Sequence, residues 1–186
     1  TDFGYAWFGN SLTSFPLIDT SSGTNFRAAW YGNSLTSFPL IDTSSGTSFK
    51  AAWSGNSLTS FPLIDTSSGT NFRSAWRDNS LTSFPLIDTS SGTDFGYAWS
   101  GNAELVDFPA NFFDNIKGGN LDRAFDDTNL NEASIDGILV SLVTSGIAAG
   151  TRVFDQSGGS APSSTGEAAI DTLRSRGWTV EVTGGY

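Results

Sequence analysis

The 186-residue chain has no cysteine and no histidine, and only nine Lys and Arg against nineteen Asp and Glu. Without cysteine neither a disulfide framework nor a thiolate metal site can form, and the redox compartment stays open. Without histidine the usual general base and the commonest metal ligand are missing. Serines are plentiful but none has a base beside it. Carboxylates such as Asp126, Asp127, Asp155 and Asp171 are accounted for by turns and caps rather than by a catalytic pair. Gly158-Gly159 leads into a proline loop and lacks the Lys of a phosphate-cradling motif. These gaps point to a protein that is not an enzyme and holds no metal or cofactor. A net charge of −10 and a pI near 4.1 disfavour nucleic acid, whose phosphates need clustered cations, and anionic lipid surfaces. No apolar run approaches the roughly 18 residues of a membrane helix, so membrane insertion is not expected.

What the chain does have is aromatic rings and copies. Fifteen Phe and six Trp must supply much of the core. The string SLTSFPLIDTSSGT occurs four times, from Ser11, Ser34, Ser57 and Ser80, and Trp recurs at 7, 30, 53, 76 and 99, a step of 23. A degenerate copy follows, with Glu104-Leu105-Val106-Asp107-Phe108-Pro109 in place of SLTSFP. Leu121-Asp122-Arg123-Ala124-Phe125 then stands where Phe-Arg-Ala-Ala-Trp stood. Thr1 opens inside a repeat, as in an excised C-terminal portion of something longer.

Within a copy, Leu12, Phe15 and Leu17 read as a strand with Phe15 and Leu17 on one face. Pro16 and its equivalents shorten or bend that strand. Asp19-Thr20-Ser21-Ser22-Gly23 reads as a turn, with Gly free to take positive φ. Phe26, Ala29 and Trp30 suit about one turn of helix. The fold class expected is a repeat solenoid, leucine-rich-repeat-like and right-handed, with short parallel strands alternating with short helices or coil. It spans residues 1–125, and a small C-terminal α/β cap of two helices and two short strands spans 126–186. In the cap, helices are expected after an Asn131 cap, ending near Gly146, and from a Ser164–Glu167 capping box to Arg176. Strands are expected over Thr151–Asp155 and Trp178–Val182.

The copy DTSSGTNFRAAWYGNSLTSFPLI resembles the BspA-like leucine-rich repeats of bacterial and phage surface proteins, whose rungs run DTS..TNM..MF..C.SL.SL.L. Trp30 takes the aromatic position, and Asn33 stands near the Cys with one residue fewer before Ser-Leu. The resemblance covers about residues 1–125. It implies an extracellular, cell-surface or virion location and an adhesive role toward a protein or glycan receptor.

Copying is imperfect in a few columns only. After the repeat Thr come Asp2, Asn25, Ser48, Asn71 and Asp94. Then come Gly4, Arg27, Lys50, Arg73 and Gly96, and then Tyr5, Ala28, Ala51, Ser74 and Tyr97. After Trp come Phe8, Tyr31, Ser54, Arg77 and Ser100. Drift at solvent-facing positions explains where variation falls. It does not predict surface aromatics, which instead suit a recognition face built on Tyr5, Phe8, Arg27, Tyr31, Lys50, Arg73, Arg77 and Tyr97. The Asp19, Asp42, Asp65, Asp88 column stacks like charges and is read as tied to its own turn amides. The Asn10, Asn33, Asn56, Asn79, Asn102 column reads as an internal ladder for turn backbone. The hydroxyls of Thr13, Thr36, Thr59 and Thr82 suggest the alternative of an ice-binding array, and the near-perfect copying suggests that of a purely structural, even engineered, consensus array.

Overall fold

One hydrogen-bond ladder organises the backbone. The computed structural model describes residues 1–147 and 153–186. In it, parallel bridges join Asp2, Asn25, Ser48, Asn71, Asp94 and Asn120 in succession. Phe26, Ala28, Trp30 and Gly32 donate to the carbonyls of Ser48, Lys50, Ala52 and Ser54 at 2.8–2.9 Å, and Phe49, Ala51, Trp53 and Gly55 repeat the pattern one copy later. Residues 23 apart therefore lie side by side, and each copy is one rung of a stack.

The pairing segment differs from the one the sequence suggested. Leu12–Leu17 contributes little to the ladder beyond bonds such as Ser34 N–H to the Leu12 carbonyl. Phe15 is buried, but Leu17 is 74% exposed rather than on the same face. The proline explains the difference. In the next rung Ile41 N–H donates to the Pro39 carbonyl at 3.0 Å, closing a three-residue turn that throws Leu40 outward and carries Ile41 into the core. The helical turn expected at Phe26–Trp30 is also replaced. Ala29 N–H reaches the Phe26 carbonyl and Tyr31 N–H the Ala28 carbonyl, as consecutive tight turns with Ala28 at φ 50 and Gly32 at φ 66. A helix would commit the Trp30 N–H to its own rung; here Ala52 of the next rung accepts it.

The core is a file of rings. Trp7, Trp30, Trp53, Trp76 and Trp99 stack at 5.3–5.7 Å, the Phe26 column stacks beside them, and Phe38 meets Trp30 edge-on at 4.8 Å. The Nε1 of Trp30, Trp53, Trp76 and Trp99 is buried with no hydrogen-bond acceptor among the described residues, a cost of about 1–3 kcal/mol each that ring burial must offset. Polar ladders close the rest. Asn56 donates to the Trp30 and Trp53 carbonyls and accepts from Leu35 N–H, and Asn33, Asn79 and Asn102 do likewise. Buried Thr43 donates to the Asp65 carbonyl at 2.6 Å. Gly46 owes its place to crowding rather than to positive φ, since a Cβ there would stand 2.5 Å from the Phe49 ring.

The C-terminal part continues the same ladder. Strand β1 (Asn120–Phe125) pairs in parallel with β2 (Val153–Gln156), which pairs in parallel with β3 (Thr179–Glu181). The sheet has three strands and straddles residue 125, so the division at 125/126 separates β1 from its partner. Residues 151 and 152 of the expected fourth-quarter strand lie outside the described residues, and β2 runs one residue past Asp155. Helix α1 (Glu132–Thr144) starts at an Asn131 cap, and buries Ile135, Ile138, Leu139 and Leu142. Its Ser134 and Ser141 hydroxyls accept from Phe108 and Phe113 N–H, seating it on the degenerate rung. Helix α2 (Ser164–Ser175) is capped one residue earlier than the sequence suggested. Ser163 accepts from Thr165 N–H and lies against Asp136 of α1.

Candidate recognition flank

The ladder decides which varying residues become neighbours. Tyr5 N–H bonds the Arg27 carbonyl, Ala28 the Lys50 carbonyl and Ala51 the Arg73 carbonyl, so Arg27, Lys50 and Arg73 form one row. Gly9, Gly32, Gly55 and Asp78 likewise donate to Tyr31, Ser54, Arg77 and Ser100, making the row that begins with Phe8. Of the chain's nine Lys and Arg, Arg27, Lys50, Arg73, Arg77 and Arg123 fall on this flank.

Two ring-centred clusters result. Near the first rungs Tyr5 and Phe8 are half-exposed with centroids 5.8 Å apart, Phe8 stacks on Tyr31 at 5.1 Å, and the Arg27 guanidinium lies 5.5 Å from the Tyr5 ring. Further along, Tyr97 gathers three guanidinium groups, with Arg73 at 5.0 Å, Arg77 at 5.6 Å and Arg123 at 5.9 Å. Lys50 stands half-buried between the clusters without an ion pair or ring contact among the described residues. Sequence reasoning missed Arg123. Its alignment of Leu121–Phe125 with the Phe-Arg-Ala-Ala-Trp segment already placed Arg123 in the Tyr5/Tyr97 column.

Both tyrosines sit in left-handed backbone, Tyr5 at φ 61 and Tyr97 at φ 59, as do Ala28, Ala51, Ser74 and Arg123 in the same column. That conformation costs an L-residue roughly 1–2 kcal/mol. The ladder imposes it on every rung, and a bulky ring is an expensive occupant. Carboxylates balance the cations: Asp94 lies 4.0 Å from Arg73, Asp78 3.3 Å from Arg77 and Asp126 3.8 Å from Arg123.

The expectation that the varying columns share one solvent-facing flank needs correction. Ala28, Ser54 and Ser100 are buried, because small side chains in a tight row lie below longer neighbours such as Tyr31 and Arg77. The flank is thus two raised clusters around a low middle. In the Asp column, Ser21 and Ser44 each give Asp19 and Asp42 a hydroxyl and an amide hydrogen bond, which hold those carboxyls below their usual range. The outer Thr hydroxyls at 47, 70 and 93 donate to the previous rung's Thr carbonyl at 2.9–3.0 Å.

No group of carboxylates placed to hold a metal ion occurs among the described residues, and none of their helices is long and apolar enough to cross a membrane. No protein-family model matches the chain, and neither a curated protein nor a solved structure matches it.

Proposed function

We propose that the chain is a leucine-rich-repeat-like solenoid with a C-terminal cap, acting as a non-enzymatic adhesion protein at a virion or cell surface. Its receptor, a protein or a glycan, is met by the flank that carries Tyr5, Phe8, Arg27, Tyr31, Lys50, Arg73, Arg77 and Tyr97. The observation that carries this reading is the gathering of four of the chain's nine Lys and Arg around exposed or half-exposed rings in an otherwise acidic molecule. Tyr and Arg are the residues that most often dominate binding energy, since each offers a large contact with few torsions to freeze per hydrogen bond. The rings are held by stacking and the guanidinium groups by ring faces and carboxylates, so little ordering remains to be done on binding. The similarity of DTSSGTNFRAAWYGNSLTSFPLI to BspA-like repeats supports the same role and location.

A screen of the intact chain against glycans and cells, followed by the triple replacement Tyr31→Ser, Arg73→Ser and Arg77→Ser, tests this. Loss of about tenfold or more in affinity with an unchanged melting temperature is expected. Undiminished binding by the triple variant removes the reading.

A further inference from the structure

A second surface runs along the rungs on the segment that leaves the ladder. Leu17, Leu40, Leu63 and Leu86 are 56–74% exposed, whereas Ile41, Ile64 and Ile87 beside them are buried. Four large apolar side chains in successive rungs make a contiguous row, unlike single exposed leucines that need no explanation. The row is held in place by chain geometry: Ile41, Ile64 and Ile87 N–H each close a turn onto Pro39, Pro62 and Pro85 at 3.0 Å. A partner would therefore meet leucines whose backbone is already ordered.

Two residues further along each rung stands an exposed aspartate, at 19, 42, 65 and 88. Every hydrogen bond shown to these carboxylates goes to Oδ1, from the serine two residues on. Oδ2 accepts nothing among the described residues, and none of the three ion pairs involves these four groups. At its C-terminal end the strip opens into a cleft of about 440 Å³ between Leu86, Asp88 and Phe112, within the degenerate copy that follows the fourth exact one.

We propose that the leucine row and the aspartate row together form a docking strip for a polypeptide segment that is both apolar and basic. Apolar side chains of that segment lie over the leucines, and its Lys or Arg groups reach the free Oδ2 atoms. The charge sets the choice of occupant. A second copy carries the same −10 and brings a matching aspartate row, and an anionic membrane is repelled for the same reason. The strip shares no residue with the Tyr/Arg flank, so the two surfaces stand or fall separately.

Calorimetric titration with an alternating Lys/Leu peptide tests the strip. One-to-one binding is expected, weakened about tenfold or more by L40S/L63S/L86S and also by D42N/D65N/D88N. Removing the same charge elsewhere, with E104Q/E132Q/E181Q, is expected to leave affinity within about threefold. Equal weakening by both charge variants, or indifference to the leucine substitutions, reduces the contact to general attraction and overturns the proposal. A wild-type dimer that the leucine variant dissolves also overturns it, since a second copy then holds the strip. Methyl NMR of the unsubstituted chain reads the same contact if a variant misfolds: the four leucines shift together on peptide addition, and shifts confined to other residues sink the idea.

Discussion

Two parts of this molecule share one ladder but return to it by different means. The bridge column that starts at Asp2 passes through Asn120 to Val153 and Thr179, and the buried Phe26 column continues as Leu121, Phe154 and Val180. In the copied rungs the returning segment is coil; after Asp126 it is a helix. A helix satisfies its own backbone, so α1 and α2 need only an apolar face and caps. Coil cannot, and the rungs depend on side chains of neighbouring rungs, with Asn33 and Asn56 bonding turn carbonyls of the rung before and Thr43 the Asp65 carbonyl of the rung after. The rungs are therefore stable only as neighbours, whereas each cap helix carries part of its stability locally.

The sharpest break in that comparison is Trp53→Ala. Trp53 is fully buried between Trp30 and Trp76, and its removal should cost about 3–5 kcal/mol and uncouple the rungs on either side. Chemical denaturation followed by fluorescence should then show two transitions where the parent shows one. Next in size, Asn56→Ala strands the Leu35 amide and leaves the Trp30 and Trp53 carbonyls with one side-chain donor each, Asn33 and Asn79, at about 1–3 kcal/mol. Asn131→Ala, which removes the Ser134 cap bond of α1 and an exposed bond to the Asp107 carboxylate, should cost about 1 kcal/mol in the same assay. Equal losses would contradict the distinction between coil and helix.

Protonation separates the regions with a smaller effect. Burial pushes the Asp155 carboxyl from 3.8 up to about 6, against the lowering effect of the Arg123 amide bond. The fold disfavours its charged form, so this group's contribution is most favourable below about pH 4 and is lost as pH rises through about 6. Asp155→Asn should leave the melting temperature unchanged near pH 4 and raise it above about pH 7. Asp19 and Asp42 work in the opposite direction: their serine bonds lower the carboxyl pKa, so they stabilise at neutral pH and lose that contribution in acid. The smallest effect expected is for Leu63→Ser, within about 0.5 kcal/mol, because the side chain is already in water. A larger loss on thermal melting would mean that the outward leucines hold the rung together.

Much of the neighbour pattern was legible, because a 23-residue period names the partner of every residue. Trp30 had to meet Trp53 if copies lie side by side, and the Asn and Asp columns could be read as turn chemistry from residue type alone. The candidate flank was half legible. The alignment placed Arg73 and Tyr97 in adjacent columns, but nothing local said that Arg77 and Arg123 would converge on the same ring, or that Ser54 and Ser100 would lie buried.

By itself the sequence determined the step, the aromatic filling and the Asn131 cap of α1, since each depends on spacing or on a side chain bonding its own backbone. Tertiary structure alone decided which stretch of the rung pairs and which way Leu17 faces. Both outcomes turn on competition for the same amides: the next rung takes the Trp30 N–H that a helix would have used, and proline turns bend away the stretch whose alternation reads as a strand. A pattern of apolar residues records which side chains prefer burial, but not which backbone groups find partners first.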